Sequence, residues 1–107
     1  MRRAGLVLGF VLFGHSAIAG AFKSGNHLYA ACEQGATLND QTALLAYTAG
    51  ATDALNDDHF CAPPSVTAGQ ARDIFCLYLR NHPEKRHERG STVVLYAFQE
   101  AFPCKAQ

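Results

Sequence analysis

This sequence is short of the motifs that carry chemistry. It holds no glycine-rich phosphate loop after a strand, no G-x-S-x-G, no H-E-x-x-H and no C-x-x-C. His82 and His87 stand five positions apart across Pro83, which does not set them on one helix face. Asp57, Asp58 and His59 are adjacent loop residues without a ligand pair at helical spacing, so they indicate a solvated acidic loop rather than a metal site. Asp53 is expected to make a structural ion pair or backbone hydrogen bond rather than to catalyse. The expectation is therefore no enzyme activity, no cofactor and no metal. No basic stripe interleaved with aromatics occurs, which argues against nucleic acid or anionic membrane as the partner. Strand alternation, internal repeats and low-complexity segments are also missing. The apolar run from Ala4 to Phe13 is about half of the roughly 20 residues that a membrane-spanning helix needs.

That run has another meaning. Arg2 and Arg3 precede it and Ser16-Ala17-Ile18-Ala19-Gly20-Ala21 follows it, which together make the three parts of a secretory signal peptide. Residues 1–19 are taken as the leader, cut after Ala19, with Ala21 as the alternative. Residues 20–107 then form one domain, because 107 residues leave no room for a second core. Tyr29-Ala30-Ala31-Cys32 superficially resembles a lipoprotein box, but the hydrophilic Lys23–His27 separates it from the apolar run. Of nine basic residues Arg2 and Arg3 leave with the leader, and against nine acidic ones the mature net charge is −2. Four cysteines in so small an exported chain predict two disulfides in an oxidising compartment, leaving no thiol nucleophile.

Periodicity predicts a four-helix, all-α domain. A short first helix covers His27 to Gln34, capped within Ser24-Gly25-Asn26 and stopped by Gly35. A second runs from Asn39 or Asp40 to Asn56, with Leu44, Tyr47, Thr48, Ala51 and Leu55 on one face. Its strip of small residues, Ala43, Ala46, Gly50 and Ala54, predicts a second buried side with close packing at Gly50. Asn56 to Val66 is a loop braked by Pro63 and Pro64. Thr67 and Gln70 form a capping box that starts the third helix, whose buried stripe is Ala71, Ile74, Phe75 and Tyr78 with Leu79 at the edge. Pro83 ends it. The fourth helix starts between Glu84 and Glu88 and ends at Phe102, burying Val94, Ala97, Phe98 and Ala101. Leu77 and Tyr96 fall off the stripes and are expected to face outward, which makes them candidate contacts of a symmetric dimer.

Phe60-Cys61-Ala62-Pro63, Val66-Thr67, Gln70, Tyr78-Leu79, His82-Pro83-Glu84, His87 and Ala101-Phe102-Pro103-Cys104 follow one another in a pattern that resembles the Rap/Tai family. These are small periplasmic immunity proteins of bacterial type VI secretion. The resemblance extends back through Tyr47, Gly50 and Asp53 to Leu28 and Cys32. It implies an α-helical, often dimeric domain that binds and blocks a peptidoglycan amidase delivered by neighbouring cells. It also implies an end-to-end staple, Cys61 with Cys104, which leaves Cys32 with Cys76. Leu44 stands where relatives commonly have a cysteine, so Cys76 supplies the partner of Cys32. Gly90 stands where they tend to have alanine, which is expected to loosen the start of the fourth helix.

The functional expectation is a periplasmic immunity protein that occludes an amidase groove sterically. A small periplasmic stress protein or chaperone of the disulfide-stapled helical kind is the alternative. Occlusion needs a protruding segment on a rigid scaffold. Asn56–Phe60 offers Asp57, Asp58 and His59; Asn81–Arg89 offers Lys85, Arg86, His87 and Arg89 and, as the longer connection, is preferred.

Overall fold

The cap that opens the third helix forms as its sequence requires. Thr67 Oγ1 accepts from the Gln70 backbone N–H at 3.1 Å, and Gln70 Oε1 accepts from that of Thr67 at 2.9 Å. In this computed structural model, which describes residues 22–105 together with Gly5 and Gly9, the elements are all helical. They are α1 (Gly25–Tyr29) running into a 3-10 turn (Ala30–Cys32), α2 (Leu38–Leu55), α3 (Ala68–Asn81), a 3-10 turn (Pro83–Lys85) and α4 (Gly90–Ala101). The described residues contain no named strand, only isolated bridges between Ser24 and Arg89 and between Asn56 and Phe60. The cleavage positions after Ala19 and Ala21 lie outside the described residues. No helix among the described residues is long and apolar enough to cross a membrane.

Helices α2, α3 and α4 each pack on the other two, and α1 closes one end. Phe60, Phe75, Phe98, Leu44, Leu79, Val93, Val94 and Thr48 are fully enclosed between them. Thr48 is tolerated there because its hydroxyl donates to the Leu44 carbonyl at 2.9 Å. Phe98 packs its ring 5.0 Å from Phe60 and 5.9 Å from Phe102, so α4, the loop before α3 and the C-terminal segment share one aromatic cluster. Both implied disulfides are present, Cys32–Cys76 tying the turn after α1 to α3 and Cys61–Cys104 tying the α2–α3 loop to the segment after α4.

Several expectations are corrected. Helix α1 is shorter than His27–Gln34, because the chain tightens into the 3-10 turn and Glu33 is already extended. Helix α2 begins at Leu38 rather than Asn39 or Asp40, since Thr37 supplies the capping oxygen, accepting from the Asp40 N–H at 3.1 Å. Its small strip is not buried: Ala43, Ala46, Gly50 and Ala54 face solvent, and a Cβ at Gly50 would meet nothing within 4 Å. On α4, Val93 is fully buried and Ala101 is exposed, so the apolar stripe is displaced from the predicted one.

The largest correction is the start of α4. The chain does not enter it between Glu84 and Glu88, because the backbone of residues 86–90 is occupied by the N-terminal segment. Gly25 N–H donates to the Glu88 carbonyl at 2.8 Å, Asn26 N–H to that of Arg86 at 2.5 Å, and Gly90 N–H to that of Lys23 at 2.7 Å. These bonds hold the chain before Gly90 on a non-helical path, with Arg89 extended at ψ 142°, so the helix begins at Gly90. Gly90 itself is no loose end. It is buried, and a Cβ there would lie 2.6 Å from both Leu28 Cδ1 and the Tyr47 hydroxyl. Burial raises the Tyr47 phenol above its ordinary pKa, although a hydrogen bond from the Ser91 backbone and the charge of Arg89 pull it back.

Candidate functional site

Two segments project from this scaffold, and both reach the C-terminal half of α4, the first at Gln99 and the second, through His82, at Glu100. The first is a knuckle from Asn56 to Phe60. Asn56 grips Ala62 from both sides, its Oδ1 accepting from Ala62 N–H at 2.9 Å and its Nδ2 donating to the Ala62 carbonyl at 3.3 Å. Phe60 is fully buried, and Asp57 N–H donates to the Phe60 carbonyl at 2.7 Å. Closing so tight a turn places Asp57 at φ 69°, in the left-handed region that a short polar side chain tolerates best among non-glycine residues. Gln99 Nε2 donates to the His59 carbonyl at 3.3 Å. The side chains of Asp57, Asp58 and His59 are left exposed at the tip. Among the described residues no group of three or more His, Cys, Asp or Glu side chains is arranged to hold a metal ion.

The second segment, Asn81–Arg89, is built differently. Lys85, Arg86, His87 and Arg89 have separate employments. Arg86 turns inward: Nε donates to the Leu79 carbonyl at 2.7 Å, an Nη to that of Arg80 at 3.4 Å, and the guanidinium lies 4.0 Å from the Tyr29 ring centre. It thereby takes up carbonyls at the C-terminal end of α3, where a cation is favoured by the helix dipole, and clamps α1 against α3. Lys85 lies across Tyr96, with Nζ 5.1 Å from the ring centre. His87 is exposed, with 73% of its side chain accessible, and Arg89 is exposed with its guanidinium 5.4 Å from the Phe22 ring. Arg86 is thus a strut, and the side chains available to a partner are Lys85, His87 and Arg89.

Beside them sits an aromatic and charged platform that periodicity did not reveal. His82 stacks on Tyr78 at 4.1 Å, with Nδ1 3.1 Å from Glu84 Oε1 and Nε2 3.6 Å from Glu100 Oε2. Tyr78 and Tyr96 are 6.5 Å apart. Burial, followed by the charges of Glu100 and Glu84, raises the Tyr78 phenol above its ordinary value, so it stays a neutral donor. The Glu84 carboxyl is held below its ordinary value, chiefly by a hydrogen bond from its own backbone and then by His82. The signal for this platform lay in the i, i+4 spacing of Tyr78 and His82, which stacks two rings on one helix flank. Tyr96 is not the outward residue that spacing predicted; it is half-buried under Lys85. Leu77 does stand out, 52% exposed, beside a groove of about 230 Å³ shared with Ile74, Tyr78 and Ala97.

A family model described as Rap1a immunity proteins matches residues 24–104. Neither a curated protein nor a solved structure matches the chain.

Proposed function

Because the chain belongs to the family of Rap1a immunity proteins, we propose that it is exported to the periplasm through its cleaved leader and there binds and blocks a peptidoglycan amidase effector of type VI secretion. The family match over residues 24–104 carries this reading. The mechanism asks for no chemistry from the immunity protein: a rigid projection fills the groove where the amidase would hold its substrate.

The projection assigned to that task is the segment from Asn81 to Arg89. Its backbone is already held by residues 23–26, so little conformational entropy is lost on binding. Its flank carries two tyrosines, a residue type enriched where binding energy concentrates. Lys85, His87 and Arg89 suit an acidic rim. Arg86 is excluded as a contact by its inward bonds, so the test is made at Lys85 and His87. Lys85→Glu with His87→Glu should weaken inhibition of a cognate amidase, sought among peptidoglycan amidases encoded near its gene, by about tenfold, or about 1.4 kcal/mol, with helicity unchanged. Titration of amidase activity against each variant measures it. Full protection by that variant, together with loss of protection in Asp57→Lys with Asp58→Lys, would transfer the role to the Asn56–Phe60 knuckle. Failure of the wild-type protein to bind that amidase would remove the amidase reading altogether.

Pairing of two copies belongs to the same proposal, with Leu77 as its central contact and Tyr96 at the margin. Leu77→Glu should turn a dimeric mass in light scattering into a monomeric one at micromolar concentration. A wild-type chain that is monomeric under those conditions would sink the pairing.

A further inference from the structure

The two disulfides have different surroundings. Cys76 is 8% exposed and Cys32 half-buried, and their bond lies at the floor of a recess whose walls include Glu33, Arg72, Asp73 and Arg80. Two arginines are matched there by two carboxylates, so an approaching thiolate meets no net attraction. Cys61 and Cys104 are both exposed. Exchange proceeds by thiolate attack on a disulfide sulfur and is governed by access, which selects Cys61–Cys104.

We propose that Cys61–Cys104 is a site of reversible thiol–disulfide exchange, open to a dithiol oxidoreductase, while Cys32–Cys76 is the permanent cross-link. In the first step a thiolate of the dithiol attacks the Cys61 sulfur. The Cys61–Cys104 bond breaks, Cys104 leaves as a thiolate and takes up a proton, and Cys61 is held in a mixed disulfide. The second thiol of the reductant, losing its proton, then attacks the reductant's own sulfur in that mixed disulfide and releases Cys61, which is protonated. Two electrons have passed to the protein and the dithiol has become a disulfide.

Contacts that do not involve the sulfurs hold the same region: Phe60 is buried, Asn56 holds Ala62 through two hydrogen bonds, and Cys61 N–H donates to the Phe102 carbonyl at 2.9 Å. What reduction frees is the covalent tie between the α2–α3 loop and the segment after α4.

The test is graded reduction of the full oxidised chain with dithiothreitol, and separately with thioredoxin. Free thiols are trapped at intervals with a mass-tagged maleimide and assigned by peptide mapping. Cys61 and Cys104 should take label together, at a rate at least about tenfold above that of Cys32 and Cys76, while the helical circular dichroism is retained. Label appearing first on Cys32 and Cys76, or on all four at one rate, would overturn the proposal. Cys61→Ser with Cys104→Ser should keep the helical spectrum and show only the slow phase; loss of helicity in that variant would make the bond structural and end the idea.

Discussion

Arg86→Ala is expected to lower the free energy of unfolding by about 2–3 kcal/mol, more than any other single loss of charge on the surface of this domain. The side chain makes a charge-assisted bond to the Leu79 carbonyl, worth about 1.5–3 kcal/mol, and lies over Tyr29 in a cation–π contact worth about 0.5–1 kcal/mol or more. Its loss leaves carbonyls at the end of α3 without their donor and loosens α1. Arg86→Lys should recover only part of this, because a single ammonium cannot bond the Leu79 and Arg80 carbonyls and cover the ring at once. Lys85→Ala, one residue earlier, should cost less than about 1 kcal/mol, since it loses one exposed cation–π contact. Urea denaturation followed by circular dichroism ranks the three. An Arg86→Ala midpoint equal to that of Lys85→Ala would refute the strut.

Three glycines should respond to alanine with different signs. Gly25→Ala is expected to cost about 2–3 kcal/mol, at the upper end of overpacking, because the new Cβ would lie 2.7 Å from the Arg86 carbonyl oxygen, a backbone atom bonded to Asn26. Gly90→Ala should cost about 1–2 kcal/mol: its neighbours at 2.6 Å are the ends of the Leu28 and Tyr47 side chains, which must both swing aside by most of an ångström but carry no backbone with them. Gly50→Ala should instead stabilise by about 0.5–1 kcal/mol, since it sits in an exposed helix interior with open space around it. Thermal melts of the three variants give the order directly. A stabilising Gly25→Ala, or a destabilising Gly50→Ala, would contradict the packing described above.

These glycines also mark where sequence reasoning reaches its end. Periodicity placed tight packing at Gly50 and the family resemblance placed looseness at Gly90, and both are reversed. A strip of small residues at helical spacing is equally consistent with a close neighbour and with open solvent, because the pattern describes one helix and not what stands opposite it. Gly90 is constrained by Leu28 and Tyr47, residues far from it in the chain, and no local pattern reports them.

What the sequence determined by itself is the local chemistry: the Thr67–Gln70 capping box, the stop at Pro83, the buried faces of α2 and α3 around Leu44, Thr48, Phe75 and Leu79, and the all-helical class. Each follows from contacts within three or four residues or from a period that one helix can display. The ordered pattern from Leu28 to Cys104 carried the family and, with it, the disulfide pairing. Only the tertiary structure decided that Arg86 points inward, that Val93 and not Ala101 completes the α4 stripe, and that Tyr78, His82 and Tyr96 make a platform. It also decided where α4 begins, because bonds to residues 23–26 hold the chain before Gly90 off the helical path. A backbone amide or carbonyl has few bonds to give, and whether a local helix or a distant segment receives them depends on a fold that the local sequence does not contain.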